Sequence, residues 1–330
     1  MCVSRNEFAN IVSDLLYDID FEMPPYGFHL ALEEEAISHF ANQTLWTEEQ
    51  RKFGIKIAKT MYTTAMFYPL GSKTTQLRIG LMTTYFAYMD DHCNLGTSID
   101  RFTENMLDGK PQDHPVLQSF IEFLSEGKFH TSSFVNTMVI QDAINFVAGC
   151  TIERDHSERI IPRSGAAKNF PDYIRDKTGI GELYAYFVFA DISPENEAFY
   201  LPIINDISQF ISIVNDILSF YKECIVGDEQ FVYIRNLAIS CGISLGETLR
   251  KCCAQVVENV KNMRTILADR KELLELVDAF INGFIAWHMS TGRYRLHEVP
   301  LVDRSKILYQ YHIHEPVLNK NGRQFVFENI

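Results

Sequence analysis

The sequence has no pair of cysteines at C-x2-C spacing, no basic stripe, no apolar run of membrane-spanning length and hardly any strand-like alternation. Its seven cysteines (Cys2, Cys93, Cys150, Cys224, Cys241, Cys252 and Cys253) are odd in number and lack the spacing of a zinc site, so reduced thiols in a cytoplasmic setting are expected. Forty-three acidic against thirty basic residues leave a net charge of −13, which argues against nucleic acid as a partner. Apolar runs such as 185–190 and 284–287 fall well short of the roughly 18 to 20 residues of a membrane span. The first twenty residues carry Arg5, Glu7, Asp14, Asp18 and Asp20, a pattern that predicts no export signal. There is no repeat of solenoid period and no low-complexity tract.

Across 330 residues, 46% hydrophobic and 22% charged, apolar positions recur three and four apart. That period predicts an all-α protein, with helices near 4–19, 30–41, 47–66, 76–93, 115–126, 132–150, 171–191, 195–222, 229–240, 246–268 and 271–290. Turn residues cluster at Pro24-Pro25, Pro69-Leu70-Gly71, 108–113 and 157–171, and none of these stretches resembles a domain linker. A single helical bundle over 1–330 is the simplest architecture.

Four polar clusters interrupt these apolar helices. The first, Asn215-Asp216-Ile217-Leu218-Ser219-Phe220-Tyr221-Lys222-Glu223, follows an apolar run. At about 3.6 residues per turn, Asn215, Ser219 and Glu223 stack on one face as an amide oxygen, a hydroxyl and a carboxylate. Hard divalent cations such as Mg²⁺ favour such oxygens together with substrate phosphates, and Lys222 adds a cation beside them. An isolated N-x3-S-x3-E also fits a solvated helix end. The nearby Asn205-Asp206 forms no such stack, since Gln209 and Ile213 follow at four and eight.

The second cluster is Asp90-Asp91-His92-Cys93-Asn94, after nearly three apolar turns. Two carboxylates at the C-terminal end of an apolar helix oppose the helix dipole and are costly near a core unless a cation neutralises them. Asp90 and Asn94 share a face with Phe86 one turn deeper. In the third, Arg175 is followed by Thr178-Gly179-Ile180-Gly181 inside an apolar helix, where two glycines suggest a deliberate break or a simple cap. The fourth, Arg293-Tyr294-Arg295, offers a guanidinium and a phenol suited to phosphate.

In this order the clusters resemble the class I terpene cyclases, most closely the fungal sesquiterpene cyclases of the trichodiene synthase family, over about residues 60 to 297. The resemblance implies that Asn215, Ser219 and Glu223 hold one Mg²⁺. It also implies that Asp90 and Asp91 belong to the aspartate-rich motif for two more, with Asp90 bridging. Asn94 stands where relatives carry a third acid. Arg175 is similar in place to the diphosphate-sensing arginine, with Thr178 and Gly179 at the linker and effector positions, although many relatives carry aspartate at the linker. Lys222, Arg293 and Tyr294 match the remaining diphosphate donors. The implied reaction is Mg²⁺-triggered ionisation of farnesyl diphosphate, with the carbocation folded in an apolar, aromatic pocket. Phe86, Phe187, Ile211 and Trp287 are its candidate lining. A diterpene cyclase, a chain-elongating prenyl transferase and a non-enzymatic helical scaffold are the alternatives, and the resemblance also allows a homodimer.

Overall fold

The computed structural model describes residues 3–24, 30–90, 93–130, 132–157, 167–301, 317–319 and 322–324. Among these, helices α1 Arg5–Asp18, α2 Leu30–Ala41, α3 Glu48–Met61, α4 Lys73–Asp90, α5 Phe102–Leu107, α6 Pro115–Glu126 and α7 Ser133–His156 form the first half. The second half holds α8 Phe170–Thr178, α9 Gly181–Phe187, α10 Glu197–Tyr200, α11 Ile204–Phe220, α12 Tyr233–Cys241, α13 Leu245–Ile266 and α14 Lys271–Ser290. A two-stranded antiparallel hairpin, Val317–Asn319 with Gly322–Gln324, is the one β element among the described residues.

Local chemistry sets the helix starts. Ser4 accepts from the Glu7 amide at 3.1 Å, and capping boxes open α3 (Thr47 with Gln50) and α13 (Ser244 with Glu247). The helices then close a ring: α3 packs on α4, α4 on α7, α7 on α9, α9 on α11 and α11 on α14, and the 3-10 segment Tyr62–Phe67 joins α14 back to α3 and α4. Helix α11 sits between α9 and α13 and buries a broad apolar face, Ile207, Phe210, Ile211, Val214, Ile217 and Leu218, while Asn205, Ser208, Gln209, Ser212 and Asp216 form its polar side. The ring encloses a cleft of about 370 Å³ that opens at one end.

The break that the two glycines suggest within 171–191 is present: Ile180 between them adopts φ +47°, ψ +27° and ends the ladder, leaving two helices. Two other parts of the sequence reading need correction. The helix expected over 195–222 begins as the short α10, runs through a 3-10 turn containing Pro202, and after α11 widens into a π-helix at Tyr221–Val226. The six-residue α5 was not anticipated, being too short for a periodic signal to rise above its polar surroundings.

Gly283 fixes the seat of α14 on the floor of the ring. A Cβ there would lie 2.1 Å from the Met66 carbonyl oxygen, so only glycine allows this approach. The seat brings Trp287 Nε1 within 2.7 Å of Thr63 Oγ1, to which it donates. Gly283→Ala should therefore cost about 1–3 kcal/mol of stability, the range for overpacking a tight core contact. Urea denaturation of the two proteins measures it, and an unchanged midpoint would mean that α14 is free to shift.

Candidate active site

At the open end of the cleft the polar clusters meet. Arg175, near the C-terminal end of α8, lies across α11: its Nε donates to Asp216 Oδ2 at 2.8 Å, and its Nη2 to Asn215 Oδ1 at 3.1 Å and to the Ser212 carbonyl at 3.3 Å. Both charged side chains are mostly buried, 18% exposed for Arg175 and 12% for Asp216. Burial pushes the Asp216 carboxyl up to about 6, against the pull of the Arg175 guanidinium.

The helix break is what brings Arg175 here. A Cβ on Gly179 would lie 2.6 Å from the Arg175 carbonyl oxygen and 2.9 Å from its Nη1, and one on Gly181 would lie 2.7 Å from the Ser208 carbonyl oxygen. Ile180 between them carries a left-handed backbone, which is strained for a β-branched residue. The new helix beyond the break is anchored from α7, where the buried Asp142 accepts from the Leu183 amide at 2.8 Å. That contact satisfies one of the orphan donors at the start of α9.

On α11, Ser219 Oγ donates to Glu223 Oε2 at 3.0 Å, and Glu223 Oε1 pairs with Lys222 Nζ at 3.1 Å. Asn215 Nδ2 donates to the Tyr294 hydroxyl at 3.2 Å and stands 3.1 Å from His288 Nε2. Lys222 Nζ lies 5.9 Å from the centre of the Tyr294 ring. Asp90, Arg175, Thr178, Gly179, Asn215, Glu223, Arg293 and Tyr294 all line the cleft mouth, whereas Ser219 and Lys222 stand beside Glu223, outside the lining. Asp91 lies outside the described residues, as does the side chain of Asn94. Among the described residues no three of His, Cys, Asp and Glu converge as a metal cluster. Ser219 and Glu223 pair directly, and Asn215 lies one turn before Ser219; an amide oxygen, a hydroxyl and a carboxylate are the all-oxygen donor types that suit a hard cation.

Deeper down the lining turns aromatic and aliphatic, with Phe67, Phe86, Phe146, Ile211, Phe284 and Trp287. Phe187 is a correction. It is buried against Tyr68 and Phe129 and lines a separate cavity, because α9 restarts at Gly181 and presents Tyr184 to the cleft, with Phe187 a turn beyond. Sequence reasoning missed Glu153, Glu229 and His288. Burial, reinforced by Asp90, pushes Glu153 up to about 7. In the sequence Glu153 is one member of the charged run Glu153-Arg154-Asp155-His156 that ends α7, which reads as a solvated helix end, and His288 leaves no trace.

The family model for trichodiene synthase (TRI5) matches residues 39–307, most of the chain. The chain belongs to the trichodiene synthase family. Membership makes it a terpene cyclase, a lyase acting on a prenyl diphosphate, with the divalent-metal dependence of class I enzymes. It is similar to the (E)-beta farnesene synthase of Metarhizium brunneum, 25% identical over 299 residues, 89% of this chain and 90% of that one. The terpene synthase BipA of Cochliobolus sativus is 28% identical over 302 residues, 89% of this chain and 91% of the relative. In fold it matches a linalool/nerolidol synthase from Streptomyces clavuligerus with a TM-score of 0.61 at 14% identity, over 81% of this chain and 99% of that one.

Asp142 gives the break a pH signature. Burial pushes its carboxyl up to about 7, so the folded protein holds a proton that the unfolded chain, with an ordinary aspartate near 4, releases. The stabilisation from neutral Asp142 is full below about pH 4 and is lost as pH rises through about 7. Asn at this position keeps the acceptor and cannot ionise. The stability of Asp142→Asn relative to the parent should rise between about pH 5 and about pH 8 in urea titrations; a constant difference would mean that Asp142 is ionised throughout.

Proposed function

We propose that this chain is a sesquiterpene cyclase, a single catalytic domain that ionises farnesyl diphosphate at the polar rim and folds the resulting cation in the aromatic cleft. The observation that carries this reading is the meeting of Arg175, Asn215, Glu223 and Tyr294 directly above a closed apolar ring. Three Mg²⁺ ions are proposed, held by Asn215, Ser219 and Glu223 on one side and by Asp90, Asp91 and Asn94 on the other. When bound they would neutralise the charge that builds on the leaving diphosphate.

The chain's own groups do the remainder. Arg175, Lys222, Arg293 and Tyr294 would donate to diphosphate oxygens as the allylic C–O bond breaks and its electron pair leaves with the diphosphate. No nucleophile is needed for that step. Arg175 sits one turn before the break, so a diphosphate that drew it away from Asp216 would act on the segment bearing Thr178 and the Gly179 carbonyl. Phe86, Phe67 and Trp287 present ring faces and edges to the cation, each face contributing about 0.5–2 kcal/mol and more when dry. The cation ends by losing a proton or by capturing water, giving a hydrocarbon or an alcohol of fifteen carbons. A cytoplasmic location accords with the free thiols of Cys150, Cys224, Cys241, Cys252 and Cys253. No helix among the described residues is long and apolar enough to cross a membrane.

Purified protein incubated with farnesyl diphosphate and Mg²⁺, with and without EDTA, should release diphosphate and a C15 product seen by gas chromatography with mass detection. Asn215→Ala and Arg175→Gln should each lower turnover by about a hundredfold or more. Turnover only when isopentenyl diphosphate is added would indicate chain elongation instead, and turnover only with the C20 diphosphate a diterpene cyclase.

A further inference from the structure

His288 lies on α14 beneath the polar rim, 1% exposed, and the reaction outlined above gives it no part. Its Nδ1 is 2.7 Å from the Phe284 carbonyl oxygen. A carbonyl only accepts, so Nδ1 carries the hydrogen. Asn215 Oδ1 accepts from Arg175, so it is the amide NH₂ that faces His288 Nε2 at 3.1 Å, and Nε2 meets that donor only as a lone pair.

This chain of hydrogen bonds has one self-consistent orientation for the Asn215 amide. With NH₂ toward His288, one hydrogen meets Nε2, the other meets the Tyr294 hydroxyl at 3.2 Å, and Oδ1 accepts from Arg175 Nη2 at 3.1 Å. Turning the amide over would set Oδ1 against the Nε2 lone pair and the NH₂ group against the guanidinium. Both contacts would be repulsive in a buried site. The imidazole cannot swing aside to relieve them, since its ring is packed 4.5 Å from Phe284, 4.4 Å from Tyr294 and 5.0 Å from Trp287. Tyr294 is affected as well. Because its oxygen accepts from Asn215, its own hydrogen stays available for a diphosphate oxygen.

We infer that His288 is a positioning residue: its unprotonated Nε2 locks the Asn215 amide so that Oδ1 stays turned away from His288 and toward Arg175, where it is open to a metal ion once the guanidinium moves to the diphosphate, and the Tyr294 hydroxyl keeps its hydrogen for the diphosphate. The inference rests on the proposed role of Asn215 as a metal ligand. Outer partners that orient a metal ligand typically change metal affinity by about 10- to 100-fold when removed.

The probe is inorganic diphosphate with MgCl₂, and the readout is the rise of the thermal midpoint as Mg²⁺ is titrated, with no turnover involved. His288→Leu, which removes the acceptor, should need about tenfold more Mg²⁺ or beyond for the same rise. His288→Gln, which can offer Oε1 near the place of Nε2, should titrate close to the parent. Equal impairment in both variants, or none in His288→Leu, overturns the inference while the metal role of Asn215 stands. A parent protein whose midpoint Mg²⁺ and diphosphate never move overturns that role and this inference with it. Should His288→Leu fail to fold, ¹⁵N-histidine NMR of the parent decides: a hydrogen on Nδ1 of His288 is expected, and one on Nε2 rules the lock out.

Discussion

The contact between Arg175 and α11 is the constraint on which the rest of the site depends. One guanidinium spans the Asp216 carboxylate, the Asn215 amide oxygen and the Ser212 carbonyl, and so ties the end of α8 to the helix that carries the proposed metal ligands. A mostly buried pair of this kind is a weak source of net stability, because desolvation offsets much of the attraction. Its effect is on geometry. For the guanidinium to reach α11, the chain must turn within one residue after Thr178, which requires glycine at 179 and 181 and forces Ile180 into a left-handed backbone. Asp142 holds the far side of that turn, so strain at Ile180 is retained between two anchored helices.

The same constraint separates the cleft into two chemistries. Because α9 restarts after the break, its first turn presents Tyr184 inward, and Tyr184 is bound at both ends: its hydroxyl meets Thr83 at 2.7 Å and its carbonyl accepts from Tyr68 at 2.8 Å. Below this level the lining contains Phe67, Phe86, Phe146 and Trp287, and the polar handle of Trp287 is already engaged by Thr63. With the Tyr184 hydroxyl held by Thr83 and the Trp287 N–H by Thr63, this part of the lining offers a cation ring faces. Above it, the widening of α11 into a π-helix at Tyr221 brings Lys222 and Glu223 to the rim, a local distortion common at functional sites.

Much of this is legible in the sequence, for identifiable reasons. The helices are legible because most of them bury a full stripe, and the end of α11 is legible as a candidate site because Asn215, Ser219 and Glu223 recur four apart after an apolar run. Arg175 and the glycine pair stand out because two glycines a residue apart in an apolar helical stretch weaken the ladder and suggest a break. What stays hidden depends on tertiary approach. Phe187 has the spacing of a lining residue, yet the restart of α9 carries it past the cleft. His288 is invisible because a single histidine on an apolar helix reads as core, and its lone pair acquires meaning only when α14 is laid against α11. The π-helix is hidden too, since the step from 3.6 to a wider turn leaves no mark on residue type.

An acidic protein that handles a diphosphate poses a question of charge. The cleft mouth carries Asp90, Glu153, Asp216, Glu223 and Glu229 against Arg175 and Arg293, with Lys222 beside them, an excess of carboxylates that by itself repels an anion. That repulsion already shows in Glu153, pushed up to about 7 by burial and by Asp90, and in Glu229, raised by burial and by Glu223. Cations that enter the rim relieve it, and only then do the basic groups prevail at the diphosphate. Binding of cation and of diphosphate must therefore be mutually favourable, with the same coupling free energy felt by each. On the proposed reading the excess of acid would make the site selective: a diphosphate arriving without its cations would meet a repelling rim, and ionisation would be confined to the assembled complex.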